Sequence, residues 1–262
     1  MTRTSTVVLA VTAGAGLLAG CSGGGGASAV ATSLPVSPAT SAPASSGSTT
    51  SSVAPASGAV GAGCRPGGTG IPAGAASGPT VDVDGDGRAD SVWLQRNADG
   101  TQLVGITTAS GATFGAPYSS ASPLNRTVLV ADVNGAGTIA TIVSDGRQAA
   151  LFTVMNCSLV PVRNPQGAQY TFDLGLGLNG TGIGCSKVAG TSATGLVGLK
   201  LNRDGAGKPV SVTRTAILLK GASASNGASD TVDVSGDPTG PAATTATQIT
   251  CGDLTMKANG VG

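Results

Sequence analysis

The stretch Thr80–Leu94, TVDVDGDGRADSVWL, sets four aspartates between two runs of strand-forming residues. Asp82, Asp84, Asp86 and Asp90 occupy positions one, three, five and nine of a loop whose seventh residue, Arg88, offers its backbone carbonyl. Gly85 and Gly87 permit the sharp turn. Calcium takes roughly six to eight oxygens at about 2.3–2.6 Å, and alternate side chains turned inward supply them. Without an ion, four carboxylates this close repel one another. Position twelve, where an EF-hand carries a bidentate Glu, is Trp93, and both flanks read as strands. The expectation is a β-loop-β calcium site, structural and weak, with a dissociation constant on the order of 10⁻⁴ M.

Working outward, the motif returns in altered form. VADVNGAGTIATIV from Val130, LGLNGTGIGCSKV from Leu176 and TVDVSGDPTGPA from Thr231 align with it, placing Asp132, Gly177 and Asp233 opposite Asp82. Asp132 and Asn134 lack partners because Ala136 and Ala140 replace oxygen ligands, and Asn179 stands almost alone. Asp233, Ser235 and Asp237 form a poorer second candidate. Asp99-Gly100, Asp145-Gly146 and Asp204-Gly205 each sit between strand-like runs, which is a hairpin signal. A unit therefore reads strand, acidic loop, strand, tight turn, strand, return, over about 45–55 residues, the length of a four-stranded propeller blade.

Phe114-Gly115-Ala116-Pro117 followed by TVLVADVNGAG completes a pattern. It resembles the FG-GAP, or integrin-α-type and VCBS-like, β-propeller repeat, in which a Phe-Gly pair precedes a strand and a D-x-D-G-D-G-x-x-D loop. The resemblance implies calcium in the loop and a binding or adhesive role. The expected fold class is all-β with propeller-like repeats, the alternatives being an incomplete propeller or a two-sheet β-sandwich.

Composition narrows the chemistry. The 262 residues include no histidine, and all thirteen acidic residues are aspartate. Ser-His-Asp and Cys-His sites are therefore impossible, as is any acid/base pair built on Glu. Fourteen basic residues against thirteen acidic ones form no basic stripe, so no nucleic-acid partner is expected. Trp93, Tyr118 and Tyr170 could stack on a sugar, but a lone Trp on a strand reads as core, and with aromatics at 2% of the chain no sugar-stacking platform is assigned.

The amino-terminal segment reads as an address. Residues 1–21, MTRTSTVVLAVTAGAGLLAGC, hold Arg3, an uncharged apolar run from Val7 to Leu18, and then Ala19, Gly20 and Cys21. The run has the length of a signal-peptide core and is too short for a permanent span. Its LAGC ending resembles the lipobox of bacterial lipoproteins, which implies lipidation of Cys21 and anchoring to the outer face of the cell membrane. Residues 22–63 are almost entirely small, polar and proline residues, with no charge and no aromatic, and such a segment cannot bury enough apolar area to offset chain entropy. It reads as a disordered linker ahead of a β-repeat domain over residues 64–262.

Cys64, Cys157, Cys185 and Cys251 remain, an even number in a chain read as exported. Three pairings are open. Cys64 with Cys157 and Cys185 with Cys251 is preferred, because the second bond would tie the terminal segment to the body. The sequence thus points to a calcium-stabilised surface module that binds a protein or glycan ligand and is not an enzyme. The rival readings are an envelope enzyme or accessory using aspartates such as Asp173 and Asp253, and a structural envelope protein without a specific ligand.

Overall fold

A computed structural model describes residues 63–122 and 124–256. The signal segment with Cys21, and the linker up to residue 62, lie outside the described residues. The described residues are all-β, arranged as four antiparallel sheets, none closed on itself.

Sheet 1 is a meander of β1 (Ala76–Pro79), β2 (Ser91–Arg96), β3 (Gln102–Thr107) and β4 (Thr113–Tyr118). Sheet 2 follows with β5 (Thr127–Asp132), β6 (Ile139–Ser144), β7 (Gln148–Met155) and β8 (Ser158–Pro161), to which β9 (Thr171–Asp173) is added. Both β8 and β9 pair antiparallel with β7, at Phe152–Met155 and Gln148–Ala150 respectively. They are the two halves of one outer strand, interrupted where residues 163–169 leave the sheet. Sheet 3 holds β10 (Thr181–Ser186), β11 (Gly195–Arg203), β12 (Pro209–Lys220) and β13 (Ser223–Asp233). A short helix, α1 (Pro241–Thr245), and the hairpin of β14 (Thr250–Cys251) and β15 (Leu254–Thr255) complete the chain.

Sheet 2 is buried on both faces. Val128, Val130, Val143, Ala150 and Phe152 pack against Val92, Val104, Ile106, Ala116 and Tyr118 of sheet 1. The alternate residues Leu129, Ala140, Ile142, Ala149 and Leu151 pack against Ile183, Leu196 and Ile217 of sheet 3. A strand covered on both sides loses its apolar-polar alternation, which is why TVLVAD, IATIVS and QAALFTVM read as near-continuous apolar runs. On the far side of sheet 3, Ala243 and Ala246 of the α1 region cover Leu201, Val212 and Val234. The order of layers is sheet 1, sheet 2, sheet 3, helix, so the domain is not a two-sheet sandwich.

The three Asp-Gly hairpins form where the sequence places them, between β2 and β3, β6 and β7, and β11 and β12. No described aspartate adopts a positive φ. Asp145 Oδ1 instead accepts the N–H groups of Arg147 and Gln148 (2.8 and 2.7 Å), and Asp204 Oδ1 those of Ala206 and Lys208 (both 2.9 Å). In the third turn the positive φ falls on Gly207 (81°) rather than on Gly205. Aspartate here acts as a side-chain acceptor that mimics a backbone turn.

The repeat is real for two copies and misaligned for the others. Leu176–Gly180 lies in the connection from β9 to β10, and the loop of sheet 3 equivalent to the acidic loop is Lys187–Thr194, between β10 and β11. Thr231–Asp233 ends β13, and no fourth four-stranded sheet follows among the described residues. Short Gly-rich turns look alike in sequence whichever strands they join, and the Asn179-Gly180 pair joins β9 to β10 rather than two strands of one sheet.

Trp93 is 4% exposed and belongs to the core. It lies across the row formed by Gly105 and Gly115, where an added Cβ would fall 2.0 and 2.9 Å from its ring. Two glycines in mid-strand are explained by that one indole.

Both preferred disulfides are present. Cys64–Cys157 ties the residue entering sheet 1 to the β7–β8 turn, and Cys185–Cys251 ties β10 to β14. The terminal segment runs parallel to β10, with Ile183 bridging Ile249 and its N–H donating to the Gln248 carbonyl at 2.8 Å.

Candidate functional site

The acidic loop is built on the β1-to-β2 connection, and most of its carboxylate oxygens collect N–H groups from the loop itself. Asp82 Oδ1 accepts from Asp84 and Gly85 (3.2 and 2.7 Å), and Oδ2 from Gly87 (2.7 Å). Gly85 and Gly87 have φ of 76° and 81°, a conformation that disfavours a Cβ. Asp86 takes the Arg88 N–H at 2.9 Å and its guanidinium at 2.6 Å. That side-chain hydrogen bond holds the Asp86 carboxyl below its ordinary range.

Asp82, Asp84 and Asp86 converge: one oxygen from each lies within 4.8 Å of the others, a spacing that suits a hard cation. Asp90 stands apart from this group. It is 3% exposed, and its two oxygens accept the N–H groups of Val83 and Ala109, both at 2.8 Å. Burial raises its pKa, the two N–H groups oppose that, and the charges of Asp84 and Asp82 raise it further. Asp90 therefore fastens the acidic loop to the β3–β4 turn. Arg88 contributes its side chain to Asp86.

The second copy supplies an internal comparison. Asp132 accepts from Asn134 and Gly137 (3.2 and 2.8 Å) as Asp82 does from Asp84 and Gly87, and Gly135 and Gly137 repeat the positive φ. Asn134 Oδ1 takes the N–H groups of Ala136 and Thr138, so the same turn closes with one carboxylate. The additional acids of the first loop are not required by the turn.

The acidic loop is also joined to the chain that enters the domain. The Cys64 N–H donates to Asp84 Oδ2 at 2.7 Å, and Ser110 Oγ donates to the Cys64 carbonyl (2.7 Å) and approaches the same Asp84 oxygen (3.2 Å).

At the level of the Asp-Gly turns lies a feature that the sequence did not reveal. An open cleft of about 660 Å³ is lined by Asp99, Gln102, Tyr118, Gln148, Gln169 and Thr171, among others. A neighbouring cleft of about 360 Å³ shares Gln148 and Thr171 and adds Asp145, Arg147 and Asp173. The larger cleft draws its residues from sheets 1 and 2 and from the β4–β5 connection, a juxtaposition that no local pattern announces.

The carboxylates of this region are engaged. Asp145 is 2% exposed; burial alone would raise its pKa, but the Ser120 hydroxyl and the N–H groups of Gln148 and Arg147 outweigh it and the net shift is downward. Asp173 accepts from the Gly175 N–H (2.9 Å) and the Asn179 amide (3.1 Å). Asp253 sits in the β14–β15 turn. Burial, reinforced by the charge of Asp145, pushes the Tyr118 phenol up to about 12, so it stays neutral at physiological pH.

Asp145 yields a pH prediction. A carboxyl whose folded pKa is depressed contributes stability above its unfolded value, about 3.9, and loses it as pH falls through the folded value. Asp145→Asn is expected to destabilise by about 1–3 kcal/mol at pH 7, with the gap to the parent narrowing below about pH 4. Urea unfolding at pH 7 and pH 3 measures both; a pH-independent gap would show that charge is not what Asp145 supplies.

In comparisons with known proteins, the chain matches no family model, no curated sequence and no solved structure. No described helix is long and apolar enough to cross a membrane.

Proposed function

We propose that the chain is an exported bacterial lipoprotein, lipidated on Cys21, whose linker presents a propeller-like, calcium-stabilised domain as a binding module at the cell surface. The lipobox-like LAGC and the charge-free segment 22–63 support the anchoring and the tether. The face-to-face stacking of three four-stranded meanders supports an open, propeller-like arrangement, in line with the FG-GAP resemblance of the first two copies.

The observation that carries the binding reading is the pair of adjoining clefts, where amide and hydroxyl side chains surround carboxylates already committed to structural N–H and O–H donors. Such a surface recognises a ligand by hydrogen bonds. The test is capture of a partner from envelope extracts. The parent and an exposed control, Lys200→Ala, should retain it, and Gln148→Ala/Thr171→Ala should lose it. Equal capture by all three would reject the clefts as the binding face.

Calcium belongs to the same reading as a structural ion on Asp82, Asp84 and Asp86. With a dissociation constant on the order of 10⁻⁴ M, about 10 mM calcium adds roughly 2.7 kcal/mol. For a domain of this size that raises the melting temperature by about 5–10 °C. Asp84→Ala/Asp86→Ala should abolish the rise, and Asp132→Ala in the second loop should leave it intact. No rise in the parent at millimolar calcium defeats the site.

A further inference from the structure

The two disulfides close consecutive loops that do not overlap, Cys64 to Cys157 and Cys185 to Cys251. Strands β1 to β7 lie inside the first loop, and β11 to β13 inside the second. Tension applied at the two ends of the chain crosses each loop through its sulfur bridge, so the backbone within carries no load. Between Cys64 and Cys251 only residues 158–184 remain in the line of force.

That segment is built differently from the rest. It contains β8 and β9, four and three residues long, the two halves of the interrupted outer strand. Between them the chain leaves sheet 2 and touches sheet 3, where Arg163 exchanges backbone hydrogen bonds with Ala222 and Ala224 (2.9 and 2.8 Å). After β9 comes a 3-10 turn with Leu176 at a φ of 58°. Val162, Tyr170, Phe172 and Leu174 nonetheless anchor the segment in the core shared by sheets 2 and 3.

We propose that residues 158–184 are a built-in extension limiter. Under tension β8 and β9 peel from β7, residues 181–184 of β10 peel from β11 and sheet 2 parts from sheet 3, while sheet 1 with β5–β7 and, separately, β11–β13 stay folded inside their closed loops. The biological use of such a device rests on the reading of the domain as a surface-tethered module, in which a ligand held by the domain pulls against the linker. A chain spans at most about 3.6 Å per residue, so the segment between Cys157 and Cys185 releases no more than about 100 Å. The reduced chain from Cys64 to Cys251 would release about 670 Å. The module would thus yield to a pull without surrendering its folded parts.

Single-molecule force spectroscopy on the full chain, with handles at both ends, tests this. In the oxidised protein the steps should total no more than about 140 Å, which includes about 40 Å for the tail after Cys251. Adding dithiothreitol to the extended molecule should release the rest. Phe172→Ala should lower the force of the first step, and Val104→Ala, inside the first loop, should leave it unchanged. Longer steps in the oxidised protein, or equal effects of the two substitutions, would overturn the proposal. Because the parent is pulled in both redox states, the test does not depend on a cysteine variant that folds. It requires neither anchor nor ligand, so its failure would leave the proposed function standing, and loss of Cys21 lipidation or of ligand capture would leave the pulling result unchanged.

Discussion

Replacing Cys64 and Cys157 together by serine is expected to lower the melting temperature by about 10–15 °C. The bond spans 93 positions. Closing a loop of that size removes chain entropy worth about 4–5 kcal/mol from the unfolded state, and each kcal/mol moves the transition by about 2–4 °C in a domain of this length. One local feature adds to the loss. Cys64, once released, no longer fixes its N–H against Asp84. The double variant should therefore also bind calcium more weakly than the parent, and titration of both proteins at a temperature where both are folded measures this. A shift below about 3 °C in a thermal scan would show that the entry segment is held by its hydrogen bonds rather than by sulfur.

That result bears on how function and fold are coupled here. Asp84 Oδ2 holds the Cys64 N–H, and Ser110 touches both partners. The calcium proposed for the acidic loop would therefore act on the point where the chain enters the domain. Asp90, which the spacing places among the ligands, also bolts the loop to the β3–β4 turn through the N–H groups on its two oxygens.

The elements that a sequence exposes are those governed by neighbours in the chain. The three Asp-Gly hairpins, the acidic loop, the 50-residue offset between Asp82 and Asp132 and the cysteine pairing were legible because turns and acidic loops are local, and because four cysteines leave few choices. The third copy was misread because LGLNGTG and the true equivalent, KVAGTSAT, are both turn-forming, and only strand pairing tells which one joins β10 to β11. The interrupted outer strand was invisible for the same reason: SLVP and TFD are short, and their common partner, β7, lies behind them in the chain. The clefts were hidden because Gln148 and Thr171 meet Gln102 only when sheets 1 and 2 stack.

The stacking itself can be tested by two substitutions at adjacent positions. Leu151 and Phe152 follow each other on β7 and point to opposite faces of sheet 2, the first into the core shared with sheet 3 and the second into the core shared with sheet 1. Their exposures are 0% and 1%. In a sheet covered on one side only, one of the two would face water and its truncation would cost little. In the three-layer arrangement both must be expensive: Leu151→Ala is expected to cost about 2–5 kcal/mol and Phe152→Ala about 3–5 kcal/mol, because each leaves a cavity that rigid strands on both sides cannot close. Leu218→Ala, at a side chain 54% exposed, should fall within about 0.5 kcal/mol of the parent. Chemical denaturation of the three variants decides the matter, and a large loss at only one of the two β7 positions would mean that sheet 2 has a free face. The two losses should also differ in kind. Phe152→Ala loosens sheet 1, which carries the acidic loop, and so should reduce the calcium-dependent rise in melting temperature. Leu151→Ala loosens sheet 3, on which the extension limiter rests, and so should lower the force of the first step and leave the calcium response unchanged.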